Sequence, residues 1–443
     1  MPDPGAHRAL LTDLYQLTMA AGYFEAGKSA EVATFECAVR RLPPNRNFVI
    51  AAGLPQVVEY LLNLSFSEEE IAYLKALPQF RSVSPAFFDR LRNLRFTGDL
   101  FAVPEGTVLF AGEPMMTVRA PLMEAQMAET FLLAAASFPT LIASKAARTV
   151  AAAEGREVLE FGTRRAHSPQ AGVLGARAAY LGGCAATSNA LAGFTYGIPV
   201  SGTAAHSWVM SFACEAESFR RLQKLLGESA IQLIDTYDPL EGARRAAALG
   251  KPLMGVRLDS GDYKVIVPQV RAILDEAGLA DARIVVSGDL DEFRIRDLVR
   301  SGVPVDVFGV GTQLSTSADC PSLSATYKLV ELEIGGIKRF TAKYSEDKKS
   351  VPGAKQIFRD EARDVIARSG ECGRGEALLR PVVLRGRLVE PLPTLEQARS
   401  RAAASVASLP PRLRELEVAE PWPVIYSREL RDLIERTHRN LMG

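Results

Sequence analysis

Six short apolar runs of this 443-residue chain end in small, charged or hydroxyl-bearing residues, and such ends are where chemistry could be placed. These segments are, in chain order, 159–165, 200–207, 233–238, 255–262, 285–291 and 308–312. In a parallel α/β barrel the carboxyl ends of the strands meet at one face and carry the active site. The six ends therefore predict one site that collects arginines, aspartates, a histidine and glycine backbone.

His206 is the most informative single residue, because the chain has only 4 histidines and this one follows the Gly202-Thr203 turn. A histidine at a strand end can act as a general base, a metal ligand or a nucleophile. The alternative is a hydrogen-bonded core histidine without a catalytic role.

Arg257 and Asp259 are two residues apart on a predicted strand, so their side chains point to the same face. A guanidinium group binds a phosphate or carboxylate through two parallel hydrogen bonds. The aspartates of this segment could hold a Mg²⁺ ion that bridges phosphate oxygens. A structural ion pair is the alternative.

Glycines in the segments 287–289 and 309–312 would let backbone N–H groups approach phosphate oxygens. A plain turn explains either loop alone, but two such loops beside Arg257 favour a phosphate site. Phe161 offers an aromatic face for a planar ring, and Arg164 follows it closely. The alternatives are a core phenylalanine and a solvated Arg165.

The composition limits the classes of function. Lys plus Arg equals Asp plus Glu at 52 each, so no net charge attracts nucleic acid or an anionic membrane. The 5 cysteines include no Cys-x-x-Cys pair, which argues against a zinc site and a disulfide framework. With no signal-peptide pattern and no unbroken apolar stretch of about 20 residues, we expect a cytoplasmic protein without nucleic-acid or membrane partners.

Three stretches organise the chain. Residues 1–120 mix helices and strands irregularly, which predicts an N-terminal α+β domain. Residues 121–325 predict an α/β barrel domain, because strand and helix patterns alternate there. Residues 326–443 predict a C-terminal extension, formed by a hairpin around Gly335-Gly336 and helices that pack back on the N-terminal domain.

Several individual elements can be predicted within these stretches. A helix is expected at 12–25, a half-buried strand at 32–40, and a helical region at 121–153 that is interrupted at Pro139. Helical patterns also fall between the strand ends, at 171–193, 215–227, 239–249, 264–278 and 291–301. Parallel strands need such helical crossovers. Because no G-x-G-x-x-G loop opens the first unit, we favour a parallel α/β barrel over an open sheet.

Taken together, the segments resemble the nicotinate phosphoribosyltransferase family. The matching stretches are Leu11-Thr12-Asp13-Leu14-Tyr15-Gln16, 160–166, 202–207, 255–262, 287–289 and 309–312, in family order over about residues 1–345. The resemblance implies a type II phosphoribosyltransferase-like fold, an irregular parallel α/β barrel with an N-terminal α+β domain, that works as a homodimer.

The resemblance also implies the reaction. Nicotinate and phosphoribosyl pyrophosphate would give nicotinate mononucleotide and pyrophosphate, a salvage step of NAD biosynthesis. Mg²⁺ is the implied cofactor, without a permanent metal site. ATP is the implied co-substrate, and its hydrolysis would be coupled through a phosphohistidine at His206.

Carried over residue by residue, the resemblance assigns the substrate contacts. Tyr15 would close over the pyridine ring from the neighbouring subunit, opposite Phe161. Thr203 and Arg257 would hold the nicotinate carboxylate, and Asp259 would lie near the ribose. The phosphate contacts would come from Arg164 and, at the ribose 5-phosphate, from Gly288, Asp289, Gly311 and Thr312.

Ser188 bears on the choice of substrate. It stands where the similar nicotinamide enzymes carry an aspartate that accepts a hydrogen bond from the amide. A carboxylate there would repel nicotinate, so the serine favours the acid.

Three other functions remain open at this point. The first is a phosphoribosyltransferase for nicotinamide or quinolinate. The second is a non-catalytic barrel that binds a phosphorylated ligand as a sensor. The third is a barrel lyase or aldolase, which would need a lysine at a strand end, and none of the six ends has one.

Overall fold

The computed structural model describes residues 4–345 and 349–442. The chain forms two compact units. Unit 1 comprises Met1–Thr140, Ser322–Arg401 and Ala419–Gly443, and unit 2 comprises Leu141–Pro321 and Ala402–Val418. Unit 1 thus gathers segments from both ends of the chain, whereas unit 2 contains all six predicted strand ends.

The strands are listed here once, with the labels used below. In chain order they are β1 (Val32–Arg41), β2 (Val49–Ile50), β3 (Asp99–Ala102), β4 (Val108–Leu109), β5 (Pro114–Pro121), β6 (Glu157–Glu160), β7 (Ala186–Thr187), β8 (Ile231–Leu233), β9 (Gly255–Leu258), β10 (Arg283–Val286), β11 (Val307–Val310), β12 (Ser324–Ile334), β13 (Ile337–Phe340), β14 (Lys355–Arg359), β15 (Asp364–Arg368), β16 (Glu376–Ala377), β17 (Arg380–Leu384), β18 (Arg387–Leu388) and β19 (Val424–Tyr426).

The helices follow the same order. They are α1 (Leu14–Glu25), α2 (Leu54–Asn63), α3 (Glu68–Ala76), α4 (Pro85–Arg92), α5 (Leu122–Met127), α6 (Glu129–Ala152), α7 (Pro169–Leu181), α8 (Ala190–Tyr196), α9 (His206–Met210), α10 (Glu215–Leu226), α11 (Pro239–Ala247), α12 (Tyr263–Glu276), α13 (Glu292–Arg300), α14 (Thr312–Ser315), α15 (Leu395–Ala407), α16 (Pro411–Arg414) and α17 (Arg428–Met442). Short 3₁₀ helices occupy Pro4–Leu10, Pro78–Phe80, Thr163–Arg165 and Gly227–Ser229.

Unit 1 is built around a seven-stranded sheet in the order β13-β12-β1-β5-β3-β17-β18. β1 pairs with both β5 and β12, and the expectation of a half-buried strand is wrong because residues 33–37 are all buried. The polar positions are paired internally: the Thr34 hydroxyl donates to Glu331 (3.1 Å), and Lys355 Nζ donates to Glu36 (2.8 Å). The polar residues that alternate with apolar ones along β1 are therefore buried and hydrogen-bonded, and they do not face solvent.

The hairpin prediction is confirmed. β12 and β13 pair antiparallel, with Ile334 opposite Ile337, and the two residues between them are Gly335 (φ +58°) and Gly336 (φ +81°). Positive φ at both central residues is what a two-residue hairpin turn requires, and glycine adopts it without strain. Unit 1 also holds a four-stranded sheet, β16-β14-β15-β19, and the pair β2-β4.

Unit 2 is an α/β structure with a six-stranded parallel sheet in the order β7-β6-β11-β10-β9-β8. The last strand, β11, lies beside the first, β6, as it does in a barrel. One apolar cluster joins Ile231 and Ala186, which belong to the two edge strands, to Leu159, Val285 and Val307. The sheet is therefore curled around a common interior.

The ring of strands is open between β7 and β8, in contrast to a complete barrel. The predicted strand that ends near Val200 is reduced to a single bridge between Thr187 and Val200. The expected helix 171–193 is also wrong, because it divides into α7, β7 and α8. Gly183, at φ +115°, follows the end of α7, and the Asn189 side chain caps α8 by accepting from Ala192 N at 2.8 Å.

Helix α6 differs from expectation too, because it continues through Pro139. A proline removes one backbone hydrogen bond, and here the buried residues on both sides of it, among them Leu132 and Ile142, keep the helix packed. By length and composition α6 could cross a bilayer, with a mean hydropathy of 1.3, but 61% of its most apolar window is buried inside the protein. Such burial is typical of a core helix.

Candidate active site

The strand register of unit 2 brings several of the predicted site residues to one face of the sheet. Arg257 pairs with Val285, and Leu159 pairs with Gly309, while Leu159 and Val285 both belong to the interior cluster. Directly paired residues of parallel strands point to the same side, and positions two apart share a face. Phe161 and Arg257 therefore lie at the carboxyl-end opening of the curled sheet.

Arg257 connects three segments through its guanidinium group. Nε donates to Ser287 Oγ (2.9 Å), Nη1 to Thr203 Oγ1 (2.7 Å) and Nη2 to Asp259 Oδ1 (2.7 Å). Nη1 also reaches the carbonyl oxygen of Ala204 at 3.3 Å. The fork is thus held in one orientation, with Thr203 and Asp259 beside it.

Asp259 is kept ionised. Burial alone would raise the pKa of its carboxyl group, but the hydrogen bond from Ser287 and the charge of Arg257 outweigh burial and lower that pKa. Ser287 Oγ donates to Asp259 Oδ1 at 2.6 Å. A fixed negative charge therefore stands at this strand end, ready to stabilise a developing positive charge.

His206 begins α9 and faces this carboxylate. Its Nε2 atom lies 3.8 Å from Asp259 Oδ2, and its Nδ1 atom lies 3.2 Å from Thr236 Oγ1. The side chain is 40% exposed, which is inconsistent with a core histidine. Thr236 thus orients the ring through Nδ1, while Nε2 faces the carboxylate and the ring stays accessible to a ligand.

Asp235, at the end of β8, adds a second carboxylate that we did not single out from the sequence. Its Oδ2 atom accepts from Asp259 N and from Ser260 Oγ, both at 2.8 Å. Its Oδ1 atom is buried and has no hydrogen-bond partner within the described part of the chain. An orphaned buried carboxylate oxygen is expected to meet a donor or a cation from a ligand.

The glycine loops approach their neighbours closely. Gly288 has φ +88°, and a Cβ atom there would lie 2.0 Å from the carbonyl oxygen of Asp259. Asp289 also has a positive φ, at +48°, and is exposed. Gly311 and Thr312 lie at the end of β11, where Gly311 precedes the short helix α14. Both loops thus present backbone at the same end of the sheet.

Phe161 packs on the neighbouring strand. A Cβ atom at Gly309 would lie 2.6 Å from Phe161 Cδ2, so only glycine leaves room for the ring. The Arg257 guanidinium carbon lies 6.0 Å from the ring centroid. The ring and the guanidinium group together form a subsite suited to a planar anion.

Two predicted residues are not part of this cluster. Arg164 lies on the exposed 3₁₀ helix Thr163–Arg165. Tyr15 belongs to unit 1, where its side chain is 49% exposed on α1. Burial raises the pKa of the Tyr15 hydroxyl, and the charges of Glu129 and Asp13 raise it further.

No role was assigned from the sequence to the residues that support the cluster, although Ser287 and Glu160 lie in the stretches 287–289 and 160–166. Ser287 bridges Arg257 and Asp259, and the Tyr263 hydroxyl donates to the Ser287 carbonyl oxygen. Glu160, the last residue of β6, accepts from Gly162 N and from Thr187 Oγ1. The position of Ser287 directly after a buried strand was a usable signal. The sequence contains no comparable signal for Glu160 and Thr187, because these two residues meet only through the pairing of β6 with β7.

Three family models match consecutive parts of the chain. Residues 10–137 match the nicotinate phosphoribosyltransferase (NAPRTase) N-terminal domain, and residues 157–364 match the nicotinate phosphoribosyltransferase (NAPRTase) family. Residues 343–434 match the nicotinate phosphoribosyltransferase C-terminal domain. The cluster around Arg257 lies within the second of these matches.

Individual proteins give the same assignment. Nicotinate phosphoribosyltransferase pncB2 of Mycobacterium tuberculosis is 44% identical over 432 residues, which cover 95% of this chain and 91% of that protein. Nicotinate phosphoribosyltransferase of Bacillus subtilis is 42% identical over 360 residues, covering 79% and 73%. The crystal structure of human nicotinic acid phosphoribosyltransferase has a TM-score of 0.81 at 30% identity and covers 96% of this chain and 100% of that one. The chain belongs to the nicotinate phosphoribosyltransferase family.

Proposed function

We propose that the protein transfers a phosphoribosyl group from phosphoribosyl pyrophosphate to nicotinate, a step of NAD biosynthesis. The observation that carries the proposal is the Arg257 fork, held between Thr203 and Asp259 beside the Phe161 ring. Arg257 and Thr203 would bind the nicotinate carboxylate, and Phe161 would stack on the pyridine ring. The type II phosphoribosyltransferase fold is part of the same proposal.

The chemistry follows from the charges at the strand ends. The lone pair of the pyridine nitrogen forms a bond to the anomeric carbon, and the bond from that carbon to the pyrophosphate oxygen breaks. Pyrophosphate leaves with the electron pair, and positive charge develops on the ribose ring. The ionised Asp259 carboxylate would stabilise this charge.

Asp235 and Asp259 are the residues that would hold Mg²⁺. The orphaned Oδ1 atom of Asp235 fits a cation, and two carboxylates completed by substrate phosphates are a usual magnesium environment. No group of three or more His, Cys, Asp or Glu residues could hold a metal ion within residues 4–345 and 349–442. Mg²⁺, when bound, neutralises charge on phosphate oxygens. We propose that the ion arrives with the phosphorylated substrate.

ATP coupling is proposed to run through His206. A ring nitrogen bonds to the γ-phosphorus of ATP, the bond from that phosphorus to the β,γ-bridging oxygen breaks, and ADP leaves. The ring keeps its N–H proton and becomes cationic. The Asp259 carboxylate is close to this charge, because its Oδ2 atom lies 3.8 Å from His206 Nε2. Water later cleaves the N–P bond, which releases phosphate and restores the imidazole. Phosphorylation adds about −2 charges, which would change how the site binds pyrophosphate groups.

The phosphate subsite is proposed at the two glycine loops. Gly288 and Asp289 on one side, and Gly311 and Thr312 on the other, would bind the ribose 5-phosphate through backbone N–H groups. The exposed Arg164 would reach a phosphate. Ser188, exposed after β7, would favour nicotinate over nicotinamide because it adds no carboxylate near the acid.

A homodimer is proposed because each unit exposes apolar side chains near proposed substrate residues. In unit 2, Leu191, Phe194 and Val200 are exposed between Ser188 and Thr203, and Phe194 has 88% of its surface free. In unit 1, Leu14 is exposed beside Tyr15 on α1. A second copy would cover such faces and bring its Tyr15 to the pyridine ring. A cytoplasmic location fits a soluble enzyme of this kind.

The proposal can be tested with the purified protein, phosphoribosyl pyrophosphate and Mg²⁺. Nicotinate, nicotinamide and quinolinate are each supplied with and without ATP, and mononucleotide is measured. We expect product from nicotinate, increased by ATP. Turnover of nicotinamide alone would show that the interpretation of Ser188 is wrong, and no turnover of any substrate would favour the sensor.

His206→Ala tests the coupling. We expect the variant to fold, to lose ATPase activity and to use phosphoribosyl pyrophosphate more weakly. His438→Ala, the same change at an exposed histidine on α17, is the control. Unfolding of the His206 variant would instead indicate a structural histidine.

A further inference from the structure

Glu160 is a buried carboxylate directly behind the proposed pyridine subsite. It is 2% exposed, and no Lys, Arg or His side chain pairs with it among the residues that the structure describes. Its position in β6 is paired with Thr187 in β7, one residue before Phe161, so its side chain projects from the opposite face of the sheet. Glu160 therefore cannot touch a ligand that stacks on Phe161.

The two carboxylate oxygens of Glu160 have different partners. One accepts from the backbone N–H of Gly162, and the other accepts from the Thr187 hydroxyl at 2.6 Å. A buried carboxylate without a cation is costly, so its presence calls for a reason. A carboxylate provides two acceptor oxygens, one for each of these donors, whereas a glutamine amide provides only one.

Thr187 extends these contacts to the next loop. Its hydroxyl accepts from Asn189 N at 3.0 Å, and the Asn189 side chain donates to Thr163 Oγ1 at 3.1 Å. The backbone N–H of Asn189 can only donate, so the Thr187 hydroxyl accepts from it and gives its own proton to Glu160. The loop that follows β6 and the loop that follows β7 are thereby joined at both ends.

These two loops carry the residues that would recognise the pyridine ring. Phe161 adjoins Glu160, and Ser188 N donates to the Glu160 carbonyl oxygen at 2.9 Å. We propose that Glu160 is a positioning residue, which fixes Phe161 and Ser188 relative to each other and so sets the binding and selection of nicotinate. This inference rests on the proposed function.

Burial raises the pKa of Glu160, and the hydrogen bonds from Thr187 and Gly162 oppose that rise because they stabilise the carboxylate form. A group in such an environment is sensitive to loss of either donor. The same sensitivity makes isosteric substitutions informative.

Glu160→Gln is the first test. The amide has only one acceptor oxygen, and the backbone N–H of Gly162, which cannot rotate, takes it. The Thr187 hydroxyl therefore loses its acceptor, while the side-chain volume stays the same. We expect KM for nicotinate to rise about tenfold, the size of one lost hydrogen bond, with kcat changed less than about threefold. KM for phosphoribosyl pyrophosphate should stay constant, and preference for nicotinate over nicotinamide should fall. Glu157→Gln, at the exposed start of the same strand, is the matched control.

Thr187→Val and Thr187→Ser test the same contact from the other side. Valine removes the hydroxyl and should raise KM for nicotinate as Glu160→Gln does, whereas serine keeps it and should preserve the original KM. Combined with Glu160→Gln, the valine variant should add little, because the two changes break one hydrogen bond. This pair keeps the test valid if Glu160→Gln fails to fold.

The outcomes separate two failures. If the unchanged protein does not convert nicotinate, the proposed function is wrong. If it does, and the variants lower the unfolding temperature while leaving KM and substrate preference unchanged, Glu160 is only structural and the inference is overturned.

Discussion

Arg257 shows how one side chain can organise a site at the scale of a residue. Its three nitrogen atoms contact Ser287, Thr203 and Asp259, which belong to three different strand ends. A lysine ammonium group is a point charge and cannot reproduce this planar fork. The geometry of the fork, beyond its charge, therefore defines the subsite.

Arg257→Lys should raise KM for nicotinate by roughly 10- to 100-fold, because it replaces a fixed set of charge-assisted hydrogen bonds. Steady-state kinetics with nicotinate as the varied substrate measure this. Arg271→Lys is the control, since Arg271 also makes three hydrogen bonds but lies on α12 with its partners in that helix and the following loop. Equal KM values in both variants would contradict the role of the fork.

The types and spacing of residues predicted part of this site. His206, Arg257 and Asp259 could be selected because each follows or ends an apolar run and has a reactive side chain. Glu160 and Thr187 could not, because their importance depends on pairing between β6 and β7. The spacing of residues along the sequence does not reveal which strands become neighbours, because the whole sheet determines the strand order.

At the scale of elements, the approach of β6 to β11 fixes the aromatic subsite. Phe161 N donates to the Val310 carbonyl oxygen at 2.8 Å, so the backbone continues the pairing beyond the last residue of β6. The ring then lies over Gly309 without a side chain between them. The position of Phe161 thus depends on a glycine in another strand.

Gly309→Ala should displace the Phe161 ring, since the added Cβ atom would lie 2.6 Å and 2.7 Å from two ring carbons. We expect a loss of about 1–3 kcal/mol in stability, as overpacking usually gives, together with a higher KM for nicotinate. Thermal unfolding and steady-state kinetics measure the two effects.

Gly370→Ala is the control for this substitution, because no atom lies within 4 Å of a Cβ placed there. If Gly309→Ala lowered stability and left KM unchanged, the ring would not be part of the substrate subsite.

The elements also show where sequence patterns fail. The apolar run that ends at Val200 has a strand-like composition, yet it forms only a single bridge to Thr187, and the chain continues as loop over residues 201–205. The residues 171–193 have a helical pattern, yet a two-residue strand divides them after Gly182-Gly183. A strand of two residues is too short to show a periodic pattern, so β7 can be identified only from its pairing with β6.

At the scale of the whole molecule, a buried pair of carboxyl groups in unit 1 links stability to pH. Glu113 and Asp364 are fully buried, and Arg359 Nη2 lies 2.6 Å from Asp364 and 3.6 Å from Glu113. Burial raises the pKa of Glu113 well above its usual range, and the Asp364 carboxylate raises it further. One cation thus serves two acids, and Glu113 keeps its proton more strongly when folded.

The sign of the pH effect follows from this pKa. In the unfolded chain Glu113 loses its proton at about pH 4.3, whereas the folded protein retains the proton to a higher pH. The contribution of Glu113 to the free energy of unfolding is therefore highest below that pH and falls as the pH rises toward the folded pKa, by at most about 1.4 kcal/mol per pH unit. Glu113→Gln removes this contribution and should gain stability relative to the unchanged protein as the pH rises above about 4.3.

Denaturant unfolding at several pH values measures the difference. The amide oxygen can still accept from Phe110 N, which Glu113 binds at 2.8 Å, so the local backbone contact survives. Glu390→Gln, the same change at an exposed glutamate, is the control. A difference between variant and unchanged protein that does not vary with pH would contradict the raised pKa.

The gap in the ring of strands has a consequence for local order. Residues 201–205 belong to no strand or helix, and side-chain hydrogen bonds from Arg257 to Thr203 and to the Ala204 carbonyl oxygen hold this segment. A bound ligand that competes for the Arg257 guanidinium group competes for the same hydrogen bonds. A ligand that takes these donors of Arg257 would therefore loosen residues 201–205, which lead to His206. Binding at the subsite and the order of this segment would thus depend on each other.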